Sequence, residues 1–220
     1  MSGHLIYEEL PSLNHPTLIV TFRGWSDAQE GASRVVRYIT RRLPAKRFAE
    51  IDPEEFYVFT RTRPLIRYDA KGNRNVRWPF NHFSFWESEE KEQDLLLFSG
   101  VEPNLRWRTY SDVLLEIVER CNVSRVVVLG STIDNTPHTR EPGVSGTSTI
   151  PEFHEMFEEL GVSQGTGYQG PASMMTVFAE ACKKRGLGIA SLWAHCPHYL
   201  QASPNPKASY ALLWRLVKLL

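Results

Sequence analysis

A chain of 220 residues, 42% of them hydrophobic, has material for one sizeable core and one domain. Its 25 Lys and Arg offset 25 Asp and Glu, and a chain with no net positive charge is a poor non-specific binder of nucleic acid, which needs surplus cations to displace counterions. Cys121, Cys182 and Cys196 lack zinc-type spacing and leave an odd thiol, so a reducing, cytoplasmic setting is expected.

The N-terminal Met1-Ser2-Gly3-His4 shows no signal-peptide pattern, and no apolar run is long enough to cross a membrane. Leu5–Leu10 and Thr17–Phe22 read as strands. Ala32, Val35, Val36, Ile39 and Leu43 then fall at helical spacing, and Pro44 stops that helix. Phe56–Phe59 reads as a short aromatic strand. Leu65–Tyr68 and Asn75–Trp78 flank a turn sequence and predict a hairpin, within an insertion near residues 60–86. Strand Asp94–Ser99, a helix with Trp107, Tyr110, Val113, Leu114, Ile117, Val118 and Cys121 on one face, and strand Val126–Leu129 make a βαβ unit. Asp134–Thr149 reads as a long polar loop, and such loops in compact domains are usually functional or mobile. Phe153, Met156, Phe157 and Leu160 predict a short helix ended by Gly161; Pro171 suits the first turn of another, ended by Gly186. Strand Ile189–Ala194 follows, then a helix from Lys207 that is still apolar at Leu219-Leu220 and carries no C-cap, as expected of a truncated chain or of an end that docks on something. The alternation predicts a three-layer α/β sandwich with a mostly parallel central sheet.

In that architecture ligands meet the chain at the carboxyl ends of the strands. Four predicted strands run into loops crowded with unusual side chains: Gly24-Trp25-Ser26-Asp27, Gly100-Val101-Glu102-Pro103, Pro137-His138-Thr139-Arg140 and Pro197-His198-Tyr199. Asp27 and Glu30 form a capping pattern, which makes a helix cap the better reading of Asp27; Trp25 is not explained by a cap. His138 and Arg140 read equally as an anion or nucleotide contact and as loop anchors. His195 and His198, three apart with no acidic ligand nearby, make a poor metal set, while Pro197 suits a rigid turn with a possible cis bond. Cys196 shows no base that would activate it. Ser26, Asp27 and His138 supply the letters of a hydrolytic triad without the Gly-x-Ser-x-Gly elbow. Gly143–Thr147 is a weak phosphate loop, since it does not open a helix. Arg61, Arg63, Arg67, Arg74 and Arg77 gather around the hairpin as a solvated face or a seat for an acidic partner.

Several of these motifs occur in a recognisable order: Gly24-Trp25-Ser26-Asp27-Ala28, Ile51-Asp52-Pro53-Glu54, Arg63-Pro64, Trp78-Pro79, Gly100-Val101-Glu102-Pro103, Arg106-Trp107, Pro137-His138-Thr139-Arg140, Tyr168-Gln169-Gly170-Pro171, Ser191-Leu192-Trp193-Ala194, Pro197-His198-Tyr199 and Pro204-Asn205-Pro206-Lys207-Ala208. In this the chain resembles the proteasome assembly chaperone 2 family, in its bacterial, actinobacterial-type branch. The resemblance implies a fold like that of purine nucleoside phosphorylases, with a mixed central sheet, and a role in protein assembly. The chain departs from the family pattern at Gln169, where Glu is usual, at Asn135, near which Asp is frequent, and at Glu141, where Pro is frequent. The family's further C-terminal helical region is not expected in these 220 residues.

The expectation is therefore a single-domain, chaperone-like binding protein without cofactor, metal or membrane attachment. It is expected to form a homo-oligomer, with a trimer favoured by fold analogy, and to meet a proteasome-related protein partner. The sequence support for self-association is the apolar last helix and the aromatic segment Phe80–Trp86, taken as exposed surface. The alternative is a nucleoside- or phosphate-binding protein or enzyme. In either case the candidate contacts are Trp25, Asp27, Glu102, His138, Arg140, Gln169, His198 and Tyr199.

Overall fold

The structure, a computed structural model, describes residues 3–89, 93–165, 167–200 and 203–220. Nine strands form one twisted mixed sheet: β1 (Leu5–Tyr7), β2 (Thr17–Arg23), β3 (Lys46–Ile51), then, beyond a separate hairpin of β4 (Leu65–Tyr68) and β5 (Arg74–Arg77), β6 (Asn81–Trp86), β7 (Leu95–Val101), β8 (Arg125–Asp134), β9 (Val144–Ser148), β10 (Val162–Gln164) and β11 (Gly188–Pro197). Their order is β1-β3-β6-β7-β2-β8-β11-β9-β10. The middle strands β7, β2, β8 and β11 are mutually parallel, so the loops after them share one edge. Antiparallel pairs extend the sheet on both sides.

Side-chain alternation in the parallel strands builds two apolar layers. Leu18, Val20, Val126 and Val128 point to one face, where α2 (Trp107–Arg120) brings Tyr110, Val113, Leu114 and Ile117, and α4 (Met174–Lys184) brings Met175, Phe178 and Cys182. Ile19, Val127, Leu129, Leu192 and Ala194 point to the other, against Val35, Val36 and Ile39 of α1 (Ser33–Arg42), Phe153 and Phe157 of α3 (Glu152–Glu159), and Ala208, Leu212, Leu216 and Leu219 of α5 (Pro206–Leu219). This is the three-layer α/β sandwich that the alternation of elements predicts.

Several expectations are corrected. Phe56–Phe59 is not a strand; Phe56 is a fully buried peg in a turn, edge-on to Tyr110 at 5.0 Å. The strand lies earlier, at Lys46–Ile51, where charged residues alternate with a buried face. Phe80–Trp86 is not exposed surface, because Asn81–Trp86 is the inner strand β6 with Phe83 fully buried. The polar run 134–149 contains β9. Pro171 precedes α4, whose N-cap is Ser173, its hydroxyl accepting from Thr176 N–H. The apolar end of α5 docks on the protein's own core through Leu216 and Leu219; the outward face carries Tyr210, Trp214 and Val217. The one cis peptide bond among the described residues is Ser203–Pro204, not the bond before Pro197.

Candidate functional site

The carboxyl edge of the sheet carries two groups of polar side chains. In the first, Glu102 joins three segments. Its carboxylate accepts from Trp25 N–H (3.3 Å) and from Met174 N–H (2.8 Å), the latter at the start of α4. A negative group is stabilised at a helix N-terminus by the unpaired N–H donors there. Gly24 turns with φ of +138°, and a Cβ there would sit 3.1 Å from Glu102 Cβ. Glu102 thus has a structural task that sequence reading did not find. Trp25 stands outside this knot, 61% exposed.

Asp27 is a structural anchor as well. Its buried carboxylate accepts from Ala32 and Ser33 N–H, at 2.9 and 3.0 Å, and fixes the first turn of α1. Burial raises its pKa more than these bonds lower it. The reciprocal capping bond from Glu30 does not form; Glu30 pairs with Arg23 and Arg37. Ser26 is buried with its hydroxyl unpartnered, so Ser26, Asp27 and His138 do not assemble the triad their letters allow.

The second group surrounds a cleft of about 250 Å³. Its walls include Pro137, Pro142, Pro197, Pro204 and Pro206, which have restricted backbones, and its polar groups are Gln29, Thr136, His138, Arg140, His195, Asn205 and Lys207. Among the described residues no carboxylate belongs to this lining while Arg140 and Lys207 do, so the lining favours anions. Tyr199 Oη accepts from His138 N–H at 2.7 Å and lies 2.8 Å from His138 Nδ1. The tyrosine hydroxyl and Nδ1 share this bond, and either atom can be its donor. Lys207 Nζ donates to His138 O at 3.0 Å. Gln29 staples the cleft floor, donating to Pro197 O and Leu200 O and accepting from Asn205 Nδ2. Arg140 closes no salt bridge with the described residues and is exposed.

His195, on the wall of this cleft, is the centre of a side-chain relay. Its Nδ1 lies 2.5 Å from Asp134 Oδ2 and its Nε2 lies 2.9 Å from Ser145 Oγ. The hydrogen bond to His195 holds the Asp134 carboxyl below its usual range, so Asp134 is ionised at neutral pH. An ionised carboxylate only accepts, so Nδ1 carries the proton; in the neutral imidazole Nε2 then accepts from the serine hydroxyl. Three strands supply the set: β8 ends at Asp134, β9 carries Ser145 and β11 carries His195.

The sequence candidates therefore divide. His138, Arg140 and Tyr199 gather at the cleft, and His198 stands next to them with its ring 5.4 Å from Tyr199. Trp25, Asp27 and Glu102 belong to the neighbouring loops. Gln169 is exposed on the segment before α4 and has no hydrogen bond with the described residues. Ser145, His195, Lys207 and Gln29 were not singled out as site residues from sequence. The available signal was period-two alternation in β11, which puts Ser191, Trp193 and His195 on one face and Leu192, Ala194 and Cys196 on the other. All three cysteines are buried free thiols. Desolvation raises Cys196 to about 11, so it is a protonated thiol whose Sγ–H points to Ala28 O. Among the described residues no group of three or more His, Cys, Asp or Glu is placed to hold a metal ion, and no helix is long and apolar enough to cross a membrane.

The protein is thus an α/β sandwich, a nine-stranded mixed sheet between two helical layers, with a proline-walled cleft where the parallel strands end. A sequence model described as the PAC2 family matches residues 21–220, and the chain belongs to that family. It is similar to a PAC2 family protein from Streptomyces avermitilis MA, at 38% identity over 93% of this chain and 85% of that one, with a TM-score of 0.85. It is also similar to a Mycobacterium tuberculosis proteasome-assembly chaperone homologue, at 36% identity over 92% and 84%, with a TM-score of 0.82. An archaeal proteasome activator from Pyrococcus furiosus shares the fold at 19% identity over 98% and 88%, with a TM-score of 0.77. No curated protein matches the sequence.

Proposed function

We propose that the chain is a chaperone-like assembly protein that forms a cyclic homo-oligomer, a trimer, through the β4–β5 hairpin and presents that assembly to a proteasome-related protein. The observation that carries this reading is the hairpin itself. All eight of its strand residues are exposed, and it forms its own two-stranded sheet. Such a hairpin is marginal alone in water. Its register puts Ile66 opposite Val76 and Tyr68 opposite Arg74 on one face, and Leu65 opposite Arg77 and Arg67 opposite Asn75 on the other. One face is thus mainly apolar and the other basic.

The occupant of this surface is a second copy of the chain. Arg61, Arg63, Arg67, Arg74 and Arg77 are exposed and close no salt bridge with the described residues. Glu152, Glu155, Glu158 and Glu159 of α3 are exposed too, beside β9 and β10 at the far end of the sheet from the strands that flank the hairpin. A basic arm at one end and an acidic helix at the other favour a head-to-tail contact, and a threefold rotation between copies closes such a contact into a ring. The trimer follows the phosphorylase-like analogy, and the proteasome-related partner follows the name of the mycobacterial relative. The free thiols fit a reducing cytoplasm. Light scattering should give three times 25.2 kDa for the chain and 25.2 kDa for an Ile66→Asp, Val76→Asp variant with unchanged circular dichroism. A monomeric unsubstituted chain at micromolar concentration would contradict the proposal.

The acid-free lining of the cleft favours a second reading, a bound nucleoside or phosphate-bearing compound held by Arg140, Lys207 and His138. A melting shift with inorganic phosphate or a nucleoside monophosphate, lost in Arg140→Gln, is its expected sign.

A further inference from the structure

We propose that Ser145 is a nucleophile activated by His195, and that the cleft edge hydrolyses short acyl esters bearing an anionic group. This goes beyond the assembly role and stands or fails independently of it. The geometry is that of an acyl-transfer relay: Ser145 Oγ at 2.9 Å from His195 Nε2, and His195 Nδ1 at 2.5 Å from Asp134 Oδ2. Such triads are recognised by geometry and roles rather than by chain order. A nucleophile within hydrogen-bond reach of a base that is itself oriented by a third group is the general signature of an activated serine.

The backbone holds the relay on a rigid frame. His195 N–H donates to Gly143 O at 2.9 Å, and β9 pairs with β11 so that Ser145 lies opposite Trp193. Gly146, the residue after the nucleophile, leaves no room for a side chain, since a Cβ there would lie 2.4 Å from Ser191 O. Ser145 and His195 are each only partly buried, as the proposal requires. His195 lies between Ser145 and the cleft, whose free guanidinium at Arg140 and ammonium at Lys207 supply the seat for the anionic group.

The reaction balances within these groups. Ser145 Oγ bonds to the ester carbonyl carbon while its proton passes to His195 Nε2. The carbon–oxygen bond to the leaving group breaks, and the leaving alkoxide takes the proton from His195. Water then attacks the acyl-serine with His195 again as base, releasing the acid and restoring the hydroxyl. Asp134 is half exposed, so it orients the imidazole and adds only a water-screened charge. A slow turnover after a fast acylation burst is the expected behaviour.

The test uses the full chain with a biotinylated fluorophosphonate and with the p-nitrophenyl monoester of succinic acid. In the first, the Ser145 oxygen–phosphorus bond forms as phosphorus–fluorine breaks and fluoride leaves. Peptide mass spectrometry should place the label on Ser145. Ser145→Ala should abolish labelling and the nitrophenol burst with its melting temperature unchanged. Asp134→Asn should lower the acylation rate about tenfold or more, and Arg140→Gln should raise KM for the succinate ester. Should Ser145→Ala fail to fold, the S145C variant serves instead: iodoacetamide should alkylate position 145 ahead of the three buried native cysteines. No label on Ser145 in the folded chain, label on another serine, or an ester burst that survives Ser145→Ala would overturn the proposal.

Discussion

The protein contains two β-structures held in different ways. In the nine-stranded sheet, β2 is buried at six of its seven positions and packs helices on both faces. In the β4–β5 hairpin no strand residue is buried, and the nearest anchor is the edge-on contact of Trp78 with Phe59 at 4.8 Å. The first is stabilised by desolvation of its own side chains, which contributes roughly 25 cal/mol per Å² of apolar surface. The second has its ladder hydrogen bonds in water and little else. Under the assembly proposal this hairpin gains its stability from the second copy that covers its exposed apolar face.

Substitutions should separate the two. Leu96→Ala, at a fully buried position of strand β7, should cost about 2–5 kcal/mol in chemical denaturation. Ile66→Ala should leave monomer stability within about 0.5 kcal/mol while it dissociates the oligomer. A large loss of monomer stability from Ile66→Ala would remove the contrast. A smaller effect is expected at the sheet edge: Glu102→Gln weakens two charge-assisted bonds to backbone N–H groups, at a cost of about 1–3 kcal/mol. Denaturation midpoints of the two proteins measure it.

The sheet should also respond to acid. Burial, and secondarily Arg47, pushes His82 of β6 from 6.5 to about 4, so the folded chain holds a neutral imidazole where the unfolded chain takes up a proton. That contribution is fully present above pH 6.5 and is lost as pH falls towards 4. His82 is about a third exposed and Glu50 stands 3.5 Å away, so the loss is at most about 2 kcal/mol. Denaturation at pH 7.5 and 5.0 on His82→Gln, which should flatten the difference, checks this. The smallest effect belongs to the hairpin's charges: Arg67→Glu with Arg77→Glu should weaken association by about 1 kcal/mol or less per pair, and added salt should weaken the unsubstituted assembly in the same direction. Analytical ultracentrifugation at two ionic strengths would show it.

Much of this arrangement was legible in the sequence. Runs of Val, Ile and Leu mark the parallel strands because those strands are buried on both faces. The hairpin was legible from its turn residues. Strand β3 was hidden because Lys46, Arg47 and Glu50 fill its outward positions, and β9 because Val144–Ser148 is rich in Gly, Ser and Thr. Those small residues have a cause that only tertiary structure shows, since β11 approaches Gly146 too closely for a Cβ. The loop residues His138, Arg140 and Tyr199 were found because unusual side chains on loops attract attention. His195 lies inside a strand, and its partners Asp134 and Ser145 are distant in sequence and joined only by the register of β8, β11 and β9. Glu102 appeared free of structural work because its partners are backbone groups of Trp25 and Met174, which carry no sequence signature.

The most direct test of the assembly reading is amide hydrogen exchange over residues 65–77, measured at micromolar and at low nanomolar concentration. A hairpin docked on a second copy should show slowed exchange at the higher concentration and lose that protection on dilution, while β2, β7 and β8 remain protected at both. Hairpin amides that exchange at the unprotected rate at both concentrations would contradict the account.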